Sequence, residues 1–300
     1  MLIPLSHYSS DKLESDLFRE SDVTLTVARL DKIHPEVSGN KLFKLHYFIE
    51  ECLISAHKTI LTFGGAYSNH LAATAFICNQ NGIKSIGIVR GEAAANISPT
   101  LKKCSELGMH LIFTPRAAYT EMSVGESESI SEIYGPCTII PEGGYSPMGA
   151  MGASLISNIL ENENATHICT ATGTATTLAG LLMKKKTCQK IISVPVIKNM
   201  HDILKRIEYL CPEYERGGIE IFSDYHFGGY AKHTNELLRF MNSFYSEHSI
   251  PTDFVYTGKM MYAITDQIKK GYFQKGSRIV CLHTGGLQGN CSLPPGKLIF

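Results

Sequence analysis

This sequence of 300 residues lacks several features that mark nucleic-acid-binding, membrane and secreted proteins. Basic and acidic residues are equal in number, 28 of each, so no overall charge draws the chain to nucleic acid or anionic lipid. No apolar run approaches the length of a membrane span, and the first residues show no basic segment followed by an apolar one. We therefore expect no nucleic-acid partner, no membrane partner and no signal peptide.

The nine cysteines also lack the spacing of a metal site or a redox motif. There is no Cys-x-x-Cys and no cluster of His and Cys at the spacing of zinc ligands. We expect reduced cysteines in the core of a cytoplasmic protein. The hydrophobic content of 44% is enough for a large core, and the length predicts one large or two medium domains.

What the sequence does contain is an alternation of strand-like and helix-like segments. Apolar residues recur at steps of three and four from Leu42 to Leu53, which predicts an amphipathic helix. Eight β-branched or apolar runs are predicted strands: 59–63, 85–89, 109–113, 137–140, 167–170, 191–197, 253–256 and 278–283. Helix-length segments separate nearly all of them. This order predicts an α/β protein with mostly parallel sheets covered by helices on both faces.

The loops that follow predicted strands are the expected ligand sites, because open α/β sheets bind ligands at the carboxyl ends of their strands. The threonine-rich loop 171–177 is the best candidate for a phosphate, since backbone N–H groups and hydroxyls meet there at the start of a helix near Leu178. The alternative is a turn whose threonines cap that helix. The loop is neither a Walker loop nor a Gly-x-Gly-x-x-Gly fingerprint.

Lys41 is the candidate for covalent attachment of an aldehyde cofactor. A lysine reacts with an aldehyde only after its amine loses a proton, which requires a sheltered cleft that lowers its pKa. The segment 61–70 offers such a shelter, because strand, glycine turn and helix start place backbone N–H groups where a carboxylate or phosphate can bind. Taken alone, Lys41 is also consistent with an ordinary surface lysine at a helix start.

Five motifs occur in collinear order between about Arg29 and Gly286. They are Gly39-Asn40-Lys41, Gly65-Ala66-Tyr67-Ser68-Asn69-His70, Thr172-Gly173-Thr174-Ala175-Thr176-Thr177, Val255-Tyr256-Thr257-Gly258-Lys259 and His283-Thr284-Gly285-Gly286. Together they closely resemble the 1-aminocyclopropane-1-carboxylate deaminase/D-cysteine desulfhydrase family, which belongs to the tryptophan-synthase-β-like, fold type II pyridoxal-phosphate enzymes. The resemblance implies two open, twisted, mostly parallel sheets flanked by helices. It also implies a larger domain of residues 1–44 and 151–300, a smaller domain of residues 45–150, and an active site in the cleft between them.

The same resemblance implies roles for individual residues around pyridoxal 5'-phosphate. The catalytic residues would be Lys41, which binds the cofactor covalently, Ser68 and Tyr256. The phosphate would be held by Gly173, Thr174, Ala175, Thr176 and Thr177. Asn69 would hydrogen-bond the phenolic oxygen of the cofactor, and Thr257 would face its pyridine nitrogen. The substrate carboxylate would bind Ser68, Asn69 and His70 at a helix N-terminus.

The choice between the two activities of this family depends on Thr257, Thr284 and His70. Deaminases of the cyclopropane amino acid look like Val-Tyr-Glu-Gly and His-Leu-Gly-Gly at the first two places and have glutamine at the third. The three residues present here resemble D-cysteine desulfhydrases, so we expect D-cysteine to yield pyruvate, ammonia and sulfide. The alternative activity is 1-aminocyclopropane-1-carboxylate deamination.

Two other classes of protein stay open at this point. One is a cofactor-binding protein without turnover, in which Tyr67 and altered contacts after Gly286 close the pocket. The other is a nucleotide-binding α/β protein that uses loop 172–177. The expected ligand is a small amino acid and the expected assembly is a homodimer. The aromatic and glycine-rich segment 225–230 is either a lid over the pocket or a surface loop.

Overall fold

A computed structural model describes residues 8–34, 36–37, 39–93, 97–124, 127–214 and 217–300. The N-terminal segment 1–7, on which the expectation of no signal peptide depends, lies outside the described residues. The described chain contains ten strands: β1 (Ser10–Leu13), β2 (Thr24–Ala28), β3 (Thr59–Gly64), β4 (Lys84–Arg90), β5 (His110–Thr114), β6 (Thr138–Ile140), β7 (His167–Thr172), β8 (Lys190–Pro195), β9 (Ile219–Ile221) and β10 (Arg278–Leu282).

Twelve α-helices connect these strands within the described ranges. They are α1 (Asp16–Glu20), α2 (Lys41–Ile54), α3 (Asn69–Gln80), α4 (Pro99–Glu106), α5 (Arg116–Val124), α6 (Ser127–Tyr134), α7 (Pro147–Ser154), α8 (Ile156–Ile159), α9 (Thr176–Met183), α10 (Ile203–Leu210), α11 (Asn235–His248) and α12 (Thr257–Lys269). Short 3₁₀ segments complete the chain, among them Glu142–Gly144 and Leu287–Ser292.

The strands form two sheets. The larger has the order β1-β2-β10-β7-β8-β9, and the smaller has the order β5-β4-β3-β6. All neighbouring strands of both sheets run parallel except β1, which pairs antiparallel with β2. The predicted α/β class with two mostly parallel sheets is confirmed.

Helices cover both faces of each sheet, as the apolar composition of the inner strands requires. Along β10, Ile279 and Cys281 pack under α11 and α12, whereas Val280 and Leu282 pack toward α9 and α10. The small sheet is covered by α3 and α4 on one face and by α5 and α6 on the other. Because side chains alternate along a strand, both faces of a buried parallel strand must be apolar.

One predicted strand is wrong, because residues 253–256 form a loop that leads into α12. The carboxylate of Asp253 accepts hydrogen bonds from the backbone N–H groups of Val255 and Tyr256 at 2.9 and 2.8 Å. These local bonds occupy N–H groups that a sheet ladder needs. The apolar run 253–256 therefore reflects burial of a loop and not strand pairing.

Three strands were not predicted. β1 is a mostly polar edge strand with one buried residue, Leu13, and β9 has only three residues. Both lack an apolar pattern long enough to be recognised. β2 has an alternating pattern, with Leu25 and Val27 buried, but it is only five residues long.

The two sheets draw their strands from different parts of the chain. The large sheet uses residues 10–28 and 167–282, and the small sheet uses residues 59–140. The helices α2 and α7, which lie near the expected boundaries at 44/45 and 150/151, pack against each other. The boundaries themselves stay a prediction.

No helix in the described ranges is long and apolar enough to cross a membrane. All nine cysteines lie in the described part of the chain and are free thiols, and six of them are buried.

Candidate active site

A cavity of about 400 Å³ lies where loops from the two sheets meet. Ten of the predicted site residues line it: Lys41, Ser68, Asn69, His70, Gly173, Thr174, Ala175, Thr176, Thr177 and Tyr256. Thr257 is not among the lining residues, but its neighbour Asp253 is, and so is Thr284. The five sequence motifs therefore converge on one cavity.

The loop that carries Lys41 is held against the end of the large sheet. Gly39 has a φ of +79°, and a Cβ at this position would lie 1.7 Å from the carbonyl oxygen of Thr284. The next N–H group, that of Asn40, donates to the same oxygen at 3.2 Å. Only glycine permits this close approach, so Gly39 fixes the start of α2.

The Lys41 amine lies in a short chain of polar groups. It donates to Asn40 Oδ1 at 2.9 Å, and Asn40 Nδ2 donates to Thr177 Oγ1 at 2.8 Å. Burial lowers the pKa of Lys41 to about 8, and the nearby Asp253 carboxylate offsets part of this shift. A larger fraction of this amine than of an ordinary lysine is therefore unprotonated near neutral pH, as nucleophilic attack requires.

A second lysine, which is buried, lies on the same side of α2. Lys44 lines the cavity and donates to the carbonyl oxygen of Gly143 at 3.2 Å. Gly143 in turn abuts Thr174, since a Cβ there would lie 3.1 Å from the Thr174 methyl group. Burial, and then repulsion by Lys41, hold the pKa of Lys44 well below its ordinary value. The sequence signal for the position of Lys44 in the cavity is its spacing of three residues from Lys41, which puts both on one side of a helix.

The threonine-rich loop forms the N-terminus of α9. Ala175, immediately before the helix, has a φ of +68°, an uncommon conformation for alanine that turns the chain into the helix. Thr174 Oγ1 and Thr176 Oγ1 are hydrogen-bonded at 2.8 Å, and the first N–H groups of the helix have no partner within it. Hydroxyls and free N–H groups at a helix N-terminus form an anion site.

The N-terminus of α3 faces the same cavity. Ser68 is the helix cap, because its Oγ accepts from the N–H group of Leu71 at 3.2 Å. Asn69 donates from Nδ2 to the carbonyl oxygen of Gly286 at 3.1 Å, which ties the small sheet to the large one. The amide keeps a second N–H, and its buried Oδ1 has no hydrogen-bond partner among the described residues.

His70 is neutral in this setting. Thr62 Oγ1 donates to the carbonyl oxygen of Ile140 at 2.8 Å, so it accepts the hydrogen of His70 Nε2 at 2.9 Å. Burial and the two lysines hold the pKa of His70 well below its ordinary value. Its Nδ1 is then an acceptor and cannot donate to a carboxylate. Any contribution of this residue to carboxylate binding comes from its backbone N–H.

The loop 253–257 is organised around the Asp253 carboxylate. Besides Val255 and Tyr256, the N–H and the hydroxyl of Thr257 donate to Asp253 Oδ1 at 2.9 and 2.7 Å. The Thr257 hydroxyl is thus directed at Asp253, and its contact with a pyridine nitrogen stays a prediction. Burial raises the pKa of Asp253, and these hydrogen bonds oppose the shift.

One residue of the segment 225–230, Tyr230, is part of the cavity wall. Tyr230 lines the cavity, and Tyr256 donates from its hydroxyl to that of Tyr230 at 3.3 Å. Buried Lys259 holds this segment in place by donating to the carbonyl oxygens of His226 and Gly229 at 2.9 and 2.8 Å. Burial, and then Tyr230, raise the pKa of Tyr256 well above its ordinary value, so this phenol is protonated near neutral pH.

Comparison with known proteins identifies the family. The pattern of the pyridoxal-phosphate dependent enzyme family matches residues 13–285. This chain belongs to that family. Pyridoxal phosphate is accordingly the cofactor, so the nucleotide-binding class is set aside, and loop 171–177 as the phosphate site stays a prediction.

Individual relatives of this pyridoxal-phosphate dependent enzyme carry two names. A Pyrococcus furiosus protein provisionally named 1-aminocyclopropane-1-carboxylate deaminase is 28% identical over 274 residues, which cover 84% of this chain and 82% of that protein. A D-cysteine desulfhydrase of Klebsiella pneumoniae is 26% identical over 300 residues, covering 92% and 88%. A crystal structure described as an ACC deaminase homologue has a TM-score of 0.79 at 24% identity and covers 97% of this chain and 92% of that chain. The last comparison establishes the fold.

The residues present fit pyridoxal phosphate. The cavity brings half-buried Lys41 and buried Lys44 together with the N-termini of α3 and α9, whose N–H groups favour an anion such as a phosphate, and a bound phosphate would in turn favour the protonated form of Lys44. The threonine loop 174–177 and Lys44 would hold the phosphate. Lys41 would make the covalent bond, and the free N–H of Asn69 would reach the ring oxygen. This pyridoxal-phosphate dependent enzyme is a member of the 1-aminocyclopropane-1-carboxylate deaminase/D-cysteine desulfhydrase group.

Proposed function

We propose that this enzyme catalyses deaminating β-elimination on a small amino acid, with an activity most like that of D-cysteine desulfhydrase. The observation that carries the proposal is the chemistry of the wall formed by residues 253–256 and 284. Thr284 supplies a hydroxyl to this wall, the hydroxyl of Thr257 is held on Asp253 Oδ1 behind it, and the carboxylate of Asp253 is already committed to donors within its own loop. A carboxylate facing the pyridine nitrogen would keep it protonated, and hydroxyls leave it closer to neutral.

This difference sets a preference among reactions. A less protonated ring withdraws electrons less strongly, so the reaction depends more on a good leaving group at the β-carbon. A thiolate or chloride is such a group, and the ring carbon of the cyclopropane amino acid is not. The proposal therefore favours D-cysteine and β-chloro-D-alanine as substrates.

In this proposal Lys41 acts as the base. Bound pyridoxal phosphate supplies an electron sink for the negative charge that develops at the α-carbon of the substrate. Once the substrate amine takes the place of Lys41, the Nζ of Lys41 is free to accept the α-proton. A pKa of about 8 suits this exchange near neutral pH.

The N-terminus of α3 orients the substrate. The N–H groups of Asn69 and His70 and the hydroxyl of Ser68 would bind the α-carboxylate, which fixes the direction of the Cα–H bond. Tyr256 and Tyr230, both lining the cavity, would give a proton to the departing group. For D-cysteine the Cα–H and Cβ–S bonds break, sulfide leaves with a proton, and one water converts the remainder to pyruvate and ammonia.

The experiment that tests this function is a substrate panel on the purified enzyme. The absorbance spectrum is recorded first, to measure cofactor content. Keto acid and ammonia are then measured with D- and L-cysteine, β-chloro-D-alanine and 1-aminocyclopropane-1-carboxylate, with Lys41→Ala as the inactive control. We expect the highest kcat/KM for a β-substituted amino acid. A kcat/KM for the cyclopropane amino acid that equals or exceeds all the others would refute the preference.

1-Aminocyclopropane-1-carboxylate deamination is the second candidate, and the names of several relatives favour it. A cofactor-binding protein without turnover is the third, because Tyr67 lines the cavity and is 38% exposed at its mouth. The substrate panel distinguishes these three candidate functions. Full cofactor absorbance with no product from any amino acid would support the third.

A further inference from the structure

A charged pair on the small-sheet side of the cavity has no role in the reaction described above. Arg90 ends β4, Glu142 follows β6, and both side chains line the cavity. Arg90 Nη2 and Glu142 Oε1 are 3.9 Å apart, and each side chain is 39% exposed. This separation is longer than a hydrogen bond, and the exposed part of each side chain can reach a ligand, while Glu142 also interacts with the hydroxyl of Tyr119.

The fold brings these two residues to the same edge of the sheet. β3 lies between β4 and β6, and the three strands run parallel, so their carboxyl ends meet. Gly65, which follows β3, has no side chain to cover the guanidinium, and a Cβ there would lie 3.6 Å from Arg90 Nη2. The guanidinium carbon of Arg90 lies 5.5 Å from the ring centroid of buried Tyr119, which supports it from behind.

The pair faces the tyrosines of the large sheet across the cavity. After burial and the contact with Tyr256, the strongest influences on the pKa of Tyr230 are Glu142, which raises it, and Arg90, which lowers it. Glu142 also raises the pKa of Tyr256. The two charges are therefore close to the phenols that serve the departing group, which is where the distal part of a substrate must extend.

We propose that Arg90 and Glu142 bind the distal end of the substrate, and that this end is itself a zwitterionic amino acid group. Its carboxylate would pair with Arg90 and its ammonium with Glu142. This inference rests on the proposed β-elimination and names its substrate class. The favoured substrates are amino acids whose β-sulfur carries a second α-amino acid.

The charge pattern selects this class over simpler ones. A distal group with only a negative charge is attracted by Arg90 but repelled by Glu142, because the two side chains are only 3.9 Å apart. A neutral distal group desolvates both charges and pairs with neither. A zwitterion satisfies both, and a carboxylate can form a charge-assisted pair with the guanidinium fork. In the reaction the Cα–H and Cβ–S bonds break and one water is consumed, which yields keto acid, ammonia and an amino acid thiol.

A matched series of substrates tests the proposal. Cystathionine, S-(3-carboxypropyl)cysteine, S-(3-aminopropyl)cysteine and S-propylcysteine share one chain length and differ only in the distal charges. Each is offered in both configurations at the reacting centre. We expect kcat/KM for cystathionine to exceed that for S-propylcysteine by at least about tenfold, since a hydrogen-bonded charge pair contributes a factor of about 10 to 100.

Variants assign the effect to the pair. Arg90→Gln should reduce the ratio of kcat/KM for cystathionine to that for S-propylcysteine by about tenfold or more, and so should Glu142→Gln. Exposed Arg116→Gln and Glu132→Gln, on the neighbouring helices α5 and α6, are the matched controls and should leave the ratio unchanged. Unfolding temperatures are compared to exclude a loss of fold. If Arg90→Gln lowers kcat/KM by the same factor for all four substrates, Arg90 binds the α-carboxylate that they share, and the proposal is wrong.

A binding measurement separates this inference from the proposed function. Cofactor-loaded Lys41→Ala cannot complete the reaction, and calorimetry compares its affinity for cystathionine and S-propylcysteine. The zwitterion site is supported if Lys41→Ala binds cystathionine more tightly than S-propylcysteine and if Lys41→Ala/Arg90→Gln does not. This result would support the site even if the native enzyme turned over none of the four substrates. Equal affinities, together with turnover of D-cysteine by the native enzyme, would overturn the site and leave the proposed function standing.

Discussion

At the scale of single residues, the surroundings of Lys41 and Lys44 give two lysines of one helix different tasks. Lys44 is buried and Lys41 is half-buried, and desolvation is the largest cause of the lowered pKa in each. Lys41 has the Asp253 carboxylate nearby, which partly restores its pKa, whereas Lys44 has Lys41, which lowers its pKa further. Lys44 donates to the carbonyl oxygen of Gly143, next to the threonine-rich loop, and Lys41 donates to Oδ1 of Asn40.

Lys41, and not Lys44, should carry the cofactor, and its attachment should depend on pH near 8. Only the unprotonated amine reacts with an aldehyde, so the rate of reconstitution of cofactor-free enzyme should rise as the pH approaches 8 and level off above it. Stopped-flow absorbance after addition of pyridoxal phosphate measures this rate, and borohydride reduction with peptide mapping locates the bond. A midpoint near the ordinary lysine value, or a label on Lys44 alone, would contradict the assignment.

Tyr256 should act in chemistry and not in cofactor binding. Its phenol lies in the cavity with a raised pKa, so it can give a proton to the departing group. Tyr256→Phe should lower kcat by about 10²–10⁴-fold while the cofactor absorbance is retained. Tyr245→Phe, which removes a phenol that packs on Phe300, is the control. Wild-type kinetics in Tyr256→Phe would assign this residue to the scaffold.

Ser68 has two tasks that a single substitution mixes, because it caps α3 and faces the substrate site. Ser68→Ala should reduce kcat/KM and also cost about 1 kcal/mol of stability through the lost cap. Thr234→Ala removes the equivalent cap of α11, and Thr234 does not line the cavity. Denaturant unfolding and steady-state kinetics are compared for both variants. If both lose activity in equal measure, the effect of Ser68 is one of stability.

At the scale of elements, the site depends on how closely the start of α2 approaches the end of β10. Gly39 and Gly276 both have a φ of +79°, but a Cβ at Gly39 would collide with Thr284 whereas Gly276 has open space around it. Gly276→Ala should cost about 1–2 kcal/mol, from the backbone conformation alone. Gly39→Ala should cost about 1–3 kcal/mol more through overpacking and should weaken cofactor retention.

Urea unfolding and absorbance after dialysis measure the two effects of these glycine variants. Equal free energies of unfolding for Gly39→Ala and Gly276→Ala would show that the contact with Thr284 does not constrain the loop. Full cofactor retention by Gly39→Ala would separate the position of Lys41 from this contact.

At the scale of the whole molecule, the cofactor should stabilise both sheets at once. Lys41 and loop 174–177 belong with the large sheet, Asn69 belongs with the small sheet, and Asn69 already contacts Gly286 across the cleft. A ligand at 100 times its dissociation constant adds about 2.7 kcal/mol to the native state. We expect pyridoxal phosphate to raise the unfolding temperature by roughly 5 °C or more, since 1 kcal/mol shifts a large domain by about 2–4 °C.

Calorimetry of enzyme with and without the cofactor measures this shift, and Lys41→Ala should show a smaller one. If the enzyme unfolds in two separate transitions and the cofactor raises the temperature of only one of them, only one sheet contributes to binding. The expected homodimer stays a prediction that sedimentation equilibrium tests, with a mass of twice the 33.1 kDa of one chain.

Sequence by itself determined the α/β class, most strands, and the lysine and loops that meet at the cavity. These features depend on local sequence. An apolar run predicts a strand, and a glycine turn before a helix predicts an anion site, without knowledge of the tertiary structure. The apolar run 253–256 misled for the same reason, because the pattern records burial and cannot reveal that Asp253 captures the N–H groups of its own loop.

Only the tertiary structure decided which side chains share the cavity. It brought Tyr230 to Tyr256, Lys44 to the wall beside Thr174, and Arg90 to Glu142, although 26, 130 and 52 positions of sequence separate these pairs. It also directed the hydroxyl of Thr257 at Asp253. Contacts of this kind follow from strand order and helix packing, which pair residues that are distant in the chain, so no local pattern encodes them.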